Sequence, residues 1–371
     1  MDPEITTNKI KKSKKGKILT AVLIILIILS LIALAGFLTV NHYLNKINRI
    51  DPGNESVIPP EKEHIIDSEE ESEDVGTLET WNGVDPWDDT TPADTADPDE
   101  TSGADDTKKP DETTKDSKSL GDEDLLNIML IGLDGSGTRL EKRTRTDTMI
   151  LLSVNTKTGQ MSMISFQRDT YVSIPGGYSS NRLNVPYRLG GFPLLYETYY
   201  ETFGLNIDYG VAVNFDGVTK IVDIVGGVDI KLTAKEAAAL KVTLEEDKNH
   251  LDGKTALMYA RERHIDNDFK RAERQRKVIL AVYEKIKGSS LSTINELLNE
   301  VLPYLYTDMS NTEIVSTVME LFNFLGNDIN SYFCPAYGTF KNVAVNGKAV
   351  LRVDFKENKR LLKEEYLPFE R

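Results

Sequence analysis

The sequence predicts an α/β domain, a mixed β-sheet with helices on both faces, carried behind one transmembrane helix and a disordered linker. Three observations predict it. Residues 18–40 form an apolar run without a charge. Residues 51–124 hold 5 Lys/Arg against 26 Asp/Glu and few aliphatics. From Leu125 onward, strand-like apolar runs alternate with segments of helical period, the pattern of a layered α/β domain.

The apolar run, Ile18–Val40, is long enough at ~1.5 Å per residue to cross a hydrocarbon core of about 30 Å. Lys9, Lys11, Lys12, Lys14, Lys15 and Lys17 precede it. The positive-inside rule then places 1–17 in the cytoplasm and everything beyond Val40 outside, as a single-pass membrane protein. Ala33-Leu34-Ala35 resembles a signal-peptidase site. The apolar run continues past it to Val40, long for a cleaved signal, so an uncleaved signal-anchor is expected. The segment 41–124 reads as an acidic extracellular linker. Such a composition cannot bury enough apolar surface to offset chain entropy, and its like charges keep it extended. Trp81 and Trp87 are its only Trp residues.

The domain is expected over 125–371, where 31 basic and 31 acidic residues cancel. That balance gives no electrostatic footprint for nucleic acid. A lone cysteine, Cys334, excludes an internal disulfide and a thiolate metal cluster. Four histidines, two of them (His42 and His64) ahead of the domain, make histidine catalysis and zinc poor expectations.

Element by element, LLNIMLIGLD is a buried strand. DTMILLSVN and QMSMISFQR flank TKTG as a hairpin with Gly159 at the bulge. IDYGVAVNF is a strand, and FDGVTKIVDI a helix ended by Gly226-Gly227. VDIKL is a short strand. KTALMYARERH, DFKRAERQRKVILAVYEKI, SLSTINELLNEVLPYL and NTEIVSTVMELFNFL carry helical period, and SYFCPAYG and KAVLRVDF read as late strands.

Common catalytic signatures are missing. GLDGSG is not closed by Gly-Lys-Ser/Thr, so it is no P-loop. There is no G-x-S-x-G elbow and no H-E-x-x-H. What remains is a set of polar residues at the ends of apolar elements. Asp134 ends the first strand, Arg145 and Asp147 open the second, and Arg168 and Asp169 end the third. Arg182 follows in a loop, Arg261 and Arg263 leave a helix, and Asp268, Arg271, Arg274 and Gln275 start the next. On a wheel of about 100° per residue, Arg271, Arg274 and Gln275 continue the stripe of Val278 and Val282, so they are expected to point inward or along a cleft edge. Each residue alone has a structural reading: turn former, ion pair, exposed helix end, strand cap. Together, several arginines suit bidentate contact with phosphate. Aspartates without histidine or cysteine suit a hard cation such as Mg²⁺. A pyrophosphate site follows.

At these residues the sequence resembles the LytR-CpsA-Psr family. The likeness runs in order through NIMLIGLD, RTDTMILLSVN, FQRDTYVSIPG, RLNVPY, DYGVAVNFDGVTKIVDIVGGVDI, LDGKTALMYARERH and DFKRAERQ, from about Leu125 to Val282. The resemblance implies a phosphotransferase on the outer face of a Gram-positive membrane. It would move an anionic glycopolymer, such as teichoic acid or capsule, from an undecaprenyl-pyrophosphate carrier to a peptidoglycan muramic acid hydroxyl. It implies Mg²⁺, or Mn²⁺ in its place, on Asp134 and Asp147. It implies pyrophosphate contacts from Arg145, Arg168, Arg182, Arg261, Arg263, Arg271 and Gln275, with the polyprenyl chain in an apolar tunnel between sheet and helices. Arg145, Asp147, Arg168 and Asp169 are the expected catalytic group. The general base stays open between Asp147, Asp169 and a metal-bound hydroxyl. Gln167 stands where the family usually has proline, and Lys270 where it often has glycine. A lipid-pyrophosphate pyrophosphatase and a non-catalytic membrane-anchored scaffold are the alternatives.

Overall fold

The computed structural model describes residues 39–50, 60, 78–80, 124–135 and 146–369. Its chain divides into two units, 1–46 and 47–371. In the first, residues 39–44 are helical. Nearly all of the expected span 18–40, the tail 1–17 and most of the acidic segment fall outside the described residues. No helix within them is long and apolar enough to cross a membrane.

The second unit runs β1 (Asn48–Arg49), β2 (Glu79–Thr80), β3 (Leu125–Leu133), β4 (Thr146–Asn155), β5 (Met161–Phe166), β6 (Tyr171–Val172), β7 (Asn181–Arg182) and α1 (Val185–Phe203). Then come β8 (Tyr209–Asn214), α2 (Phe215–Ile224), β9 (Val228–Ile230), α3 (Ala234–Leu240), β10 (Asn249–Leu251), α4 (Gly253–Arg261) and α5 (Asp268–Lys287). It finishes with α6 (Leu291–Glu300), β11 (Leu305–Thr307), α7 (Asn311–Phe322), β12 (Ile329–Cys334), β13 (Phe340–Val345), β14 (Lys348–Val353) and α8 (Phe355–Leu361). The main sheet has seven strands in the order β1-β11-β8-β3-β4-β5-β12. It is mixed: β3–β4 and β4–β5 are antiparallel, β3–β8 and β5–β12 parallel. The mixed sheet with flanking helices is the fold class the sequence predicts.

The pleat sorts the two faces. Met129, Leu133, Met149, Leu151 and Ala212 join the core with α1. Leu130, Val211 and Val213 point the other way, toward α2, α4 and α5. The β4–β5 hairpin turns at Gly159 with φ +70, the left-handed position the TKTG reading requires.

Several expectations need correction. SLSTINELLNEVLPYL is not one helix: α6 stops at Glu300, Leu302–Tyr304 is a 3₁₀ turn, and Leu305 opens β11. Pro303 cannot continue an α-helical ladder. SYFCPAYG is strand only as far as Cys334. The helix α1 has no counterpart among the expected elements. It is kinked at Gly190–Gly191 and carries Pro186 and Pro193. Its sides are mostly buried, so no polar face marks its period. Two pieces of the expected linker are ordered strands. β1 pairs in parallel with β11, and β2 with β13. Ile47 and Ile50 are the reason at β1, since both bury their side chains.

Candidate functional site

Strands β3, β5, β8 and β12 finish, and β4 begins, at one end of the sheet. Asp147 owes its direction there to a bulge. Gly132 pairs with Thr148 but Leu133 pairs with Thr146, so Asp147 has no partner of its own. An extra residue of this kind re-aims its side chain. Gly132 permits the close approach, because a Cβ there would lie 2.9 Å from the Thr148 side chain.

The Asp147 carboxylate is held between two guanidinium groups. Oδ1 accepts from Arg168 Nη1 at 2.8 Å and Oδ2 from Arg263 Nη2 at 2.6 Å. Burial pushes its pKa up, but Arg168, Arg263 and Arg271 outweigh burial and hold it below the usual carboxylate range. It is therefore anionic at neutral pH. Arg168 also reaches Asp268 Oδ2, 3.2 Å from Nε, and lies 3.4 Å from Asp169 Oδ1. Asp268 opens α5 behind the cap Asn267, whose side chain accepts from Lys270 N. Its second partner is Arg271, whose Nη2 donates at 3.2 Å. Asp268 is thus the strap between the strand-end arginine and the helix arginine. Burial pushes the Asp169 carboxyl up to about 6, against the pull of Arg168 and with Asp268 adding to the rise.

Arg271 is only 4% exposed; its Nη1 lies 3.2 Å from Asp268 Oδ1, and its Nε finds no hydrogen-bond acceptor among the described residues. Burial and the repulsion of Arg168 lower its pKa to about 10. A buried guanidinium donor without an acceptor is costly unless an anion completes it. This one sits near the N-terminus of α5, where the helix dipole also favours an anion.

Beside these arginines a cavity of about 270 Å³ runs between the sheet and helices α2, α4 and α5. Asp147, Arg261, Arg263, Arg271 and Gln275 line its polar part. Leu130, Val211, Val213, Val218, Ile221, Leu257, Val278 and Ile279 line the rest. Arg261 is laid over the Phe215 ring at 3.9 Å and comes within 4.0 Å of Asp134 Oδ1.

The expected residues Asp134, Asp147, Arg168, Asp169, Arg261, Arg263, Arg271 and Gln275 therefore gather at one sheet end. Arg145 lies outside the described residues. Arg182 does not line the cavity but borders the site: its Nε lies 3.7 Å from Asp169 Oδ1, and Nε and Nη2 donate to Ala349 O at 3.2 and 2.9 Å, tying β7 to β14. Arg274 goes elsewhere despite sharing the stripe on the wheel. It donates to Asp266 at 2.6 and 2.9 Å and to Glu262 O at 2.5 Å, carbonyl and carboxylate of the loop between α4 and α5. The wheel missed this because it ranks directions on one helix and is blind to the loop folded against it. Phe215, the ring beneath Arg261, was also missed; an aromatic closing an apolar strand beside arginines was its only signal. At Gln167 the backbone N–H donates to Cys334 O at 2.9 Å, a bond that a proline could not make.

A hard divalent cation fits the donor chemistry. Asp134 and Asp147 stand on neighbouring strands at the same end, and Asp147 is ionised. No cluster of three or more acidic, His or Cys ligands occurs among the described residues, so phosphate oxygens would have to complete the shell. Mg²⁺ is commonly held in that way, by one or two carboxylates and substrate phosphates.

Comparison with known proteins returns one family. The LytR_cpsA_psr family model matches residues 95–366. The polyisoprenyl-teichoic acid–peptidoglycan teichoic acid transferase TagU of Enterococcus faecalis is 32% identical over 202 residues, 52% of this chain and 64% of that protein. TagU of Oceanobacillus iheyensis is 36% identical over 197 residues, 51% of this chain and 60% of that one. The chain thus spans less than two thirds of the length of these relatives. A solved structure described as TagT bound to LIIa-WTA superimposes with a TM-score of 0.54 at 25% identity, over 67% of this chain and 94% of that one.

Proposed function

The chain belongs to the LytR-CpsA-Psr family, and from that premise we propose that it transfers a glycopolymer phosphate from a polyprenyl-pyrophosphate carrier to peptidoglycan. The carrier is undecaprenyl pyrophosphate, the acceptor a muramic acid hydroxyl, and the product a phosphodiester. The observation that carries the reading is an apolar cavity lined at its polar part by Arg263, Arg271 and Gln275, where the buried Arg271 is crowded by Arg168 and shares its Asp268 partner with it. A polyprenyl chain matches the apolar walls, and a pyrophosphate matches the arginines. The TagU relatives are named for a polyisoprenyl-linked donor and a peptidoglycan acceptor. The uncharged run 18–40 and the lysines before it support a membrane anchor with the domain outside.

In this mechanism the acceptor oxygen forms a bond to the phosphorus that carries the glycopolymer. The bond from that phosphorus to the bridging oxygen breaks, polyprenyl phosphate leaves with the electron pair, and the hydroxyl proton is released. Arg271, Arg263 and Arg168, joined by Arg145, spread the charge that builds on the phosphate and bridging oxygens. The value of Arg168, Arg263 and Arg271 lies in being fixed before the reaction, by Asp147 and Asp268. Both oxygens of Asp147 are engaged by guanidinium groups, which suits it to holding charge rather than to removing a proton. Mg²⁺, or Mn²⁺, on Asp134 and Asp147 would add Lewis-acid polarisation of the phosphate oxygens.

The test supplies the full chain with Mg²⁺ and a short lipid-pyrophosphate glycan, with and without a peptidoglycan oligosaccharide, and reads products by mass spectrometry. A phosphodiester-linked conjugate that disappears in Asp147→Ala is the expected result. Lipid phosphate released equally without acceptor, and no conjugate, would make the protein a pyrophosphatase. Binding without turnover would make it a scaffold.

A further inference from the structure

Resting on the transfer reading, we propose that the aromatic shelf around Tyr337 is the subsite for the acceptor glycan. Tyr337 is 62% exposed, one of the most exposed large hydrophobic side chains among the described residues. It is not a loose surface ring. Its ring lies against Phe269, with centroids 4.8 Å apart, and Phe269 stacks in turn on Phe340 at 5.0 Å. The loop that carries it is pinned on both sides by one wholly buried residue. Asn358 Oδ1 accepts from Ala336 N at 2.9 Å, and its Nδ2 donates to Thr339 Oγ1 at 2.7 Å. The fold therefore holds an aromatic face outward in a fixed place, where a flexible or polar residue would cost nothing.

Its place in the sheet says what it faces. At the site end, the apolar cavity lies on β8, β3 and β4. The arginine–carboxylate network sits at β4 and β5, and the Tyr337 loop leaves the end of β12, the next strand out. Gln167 N bonds to Cys334 O, so this loop starts level with Arg168. At ~5 Å per strand, the end of β12 that launches this loop lies about 10 Å from β4, on the side away from the cavity. On α5 the link is direct: Asp268 holds Arg168 and Arg271, and the next residue, Phe269, holds Tyr337.

An in-line displacement at phosphorus needs the attacking and leaving oxygens on opposite sides. With the lipid in the cavity the leaving group is on that side, so the attacking sugar must come over Arg168 from the β12 side. A pyranose ring has an apolar face that suits an aromatic ring and a hydroxyl edge that suits a polar neighbour. Lys270, one residue beyond Phe269 and exposed, supplies that neighbour. The occupant is a glycan strand of amino sugars, and the ring acts by binding it, not in the chemistry.

The experiment uses the full chain in detergent with Mg²⁺, the lipid-pyrophosphate donor and soluble uncrosslinked peptidoglycan strands, comparing Tyr337→Ala and Tyr337→Phe. We expect Tyr337→Ala to raise the acceptor KM about five- to tenfold, the size of a lost aromatic anchor, and Tyr337→Phe to keep it. Donor KM and acceptor-free lipid phosphate release should not change. An unchanged acceptor KM, or a shift in donor KM instead, overturns the subsite. If the unaltered protein forms no conjugate, the transfer reading fails, and calorimetric titration with the same strands decides the subsite separately. Affinity lost in Tyr337→Ala supports it there, and equal affinity in both proteins overturns it.

Discussion

Arg271 and Arg274 stand three residues apart on one helix and are almost equally buried, 4% and 1% exposed. Their surroundings are opposite. Arg274 is matched by Asp266, the Glu262 carbonyl and Glu236, the last 3.7 Å away, and Asp266 and Glu236 raise its pKa against burial. Arg271 shares one carboxylate with Arg168, is crowded by that arginine, and has its pKa lowered to about 10. A structural arginine has carboxylates of its own, whereas a ligand-binding arginine shares one with a second cation. Burial alone does not tell the two apart; the balance of neighbouring charge does.

The contrast breaks most visibly at Arg271. Arg271→Met should cut conjugate formation by about 10²–10³, as loss of a fixed oxyanion donor does, while the melting temperature holds or rises. A large loss of stability with unchanged turnover per folded molecule would reverse the assignment. Arg274→Met is the mirror experiment. Urea unfolding should show a loss at the low end of about 3–5 kcal/mol, because Asp266 is partly exposed and is left only partly desolvated. Activity per folded molecule should survive. Asp268→Asn weakens the strap without emptying its place, so the donor KM should rise about tenfold with a smaller change in kcat.

A pH series sharpens the comparison further. Asp169, at about 6, is largely neutral below that pH and anionic above it. An anion bound at Arg168 favours the neutral form, so lipid-pyrophosphate affinity should be highest below about pH 6 and fall as pH rises through and beyond it. Asp169→Asn should flatten that slope; a slope that persists would move its cause to another group. Gln275→Ala should be the mildest change, a few-fold in donor KM, since it removes one neutral contact from the cavity.

Much of the site was legible because its residues sit at the ends of apolar runs, where a one-dimensional pattern still marks direction. Asp147 opens β4, Arg168 follows β5, and Arg271 and Gln275 continue an apolar stripe. What escaped were features made by contact between distant segments. The wheel turned Arg274 inward, as it is, but the loop 262–267 that claims it is invisible on a helical wheel. The tie from Arg182 to the Ala349 carbonyl, 167 residues away, was not legible either. The helix α1 hid behind two prolines and a glycine pair.

By itself, the sequence determined the mixed α/β class, the strands β3, β4, β5 and β8, the helix α5 and the chemistry of the arginine–aspartate set, because periodicity and residue type are local. Only the tertiary structure decided which arginines have carboxylates of their own and which must share one, that a bulge opposite Gly132 turns Asp147 into the site, and that a pinned aromatic loop flanks it. Those depend on which carboxylates, carbonyls and rings arrive from elsewhere in the chain, and a buried charge takes its role from the partners that packing brings to it.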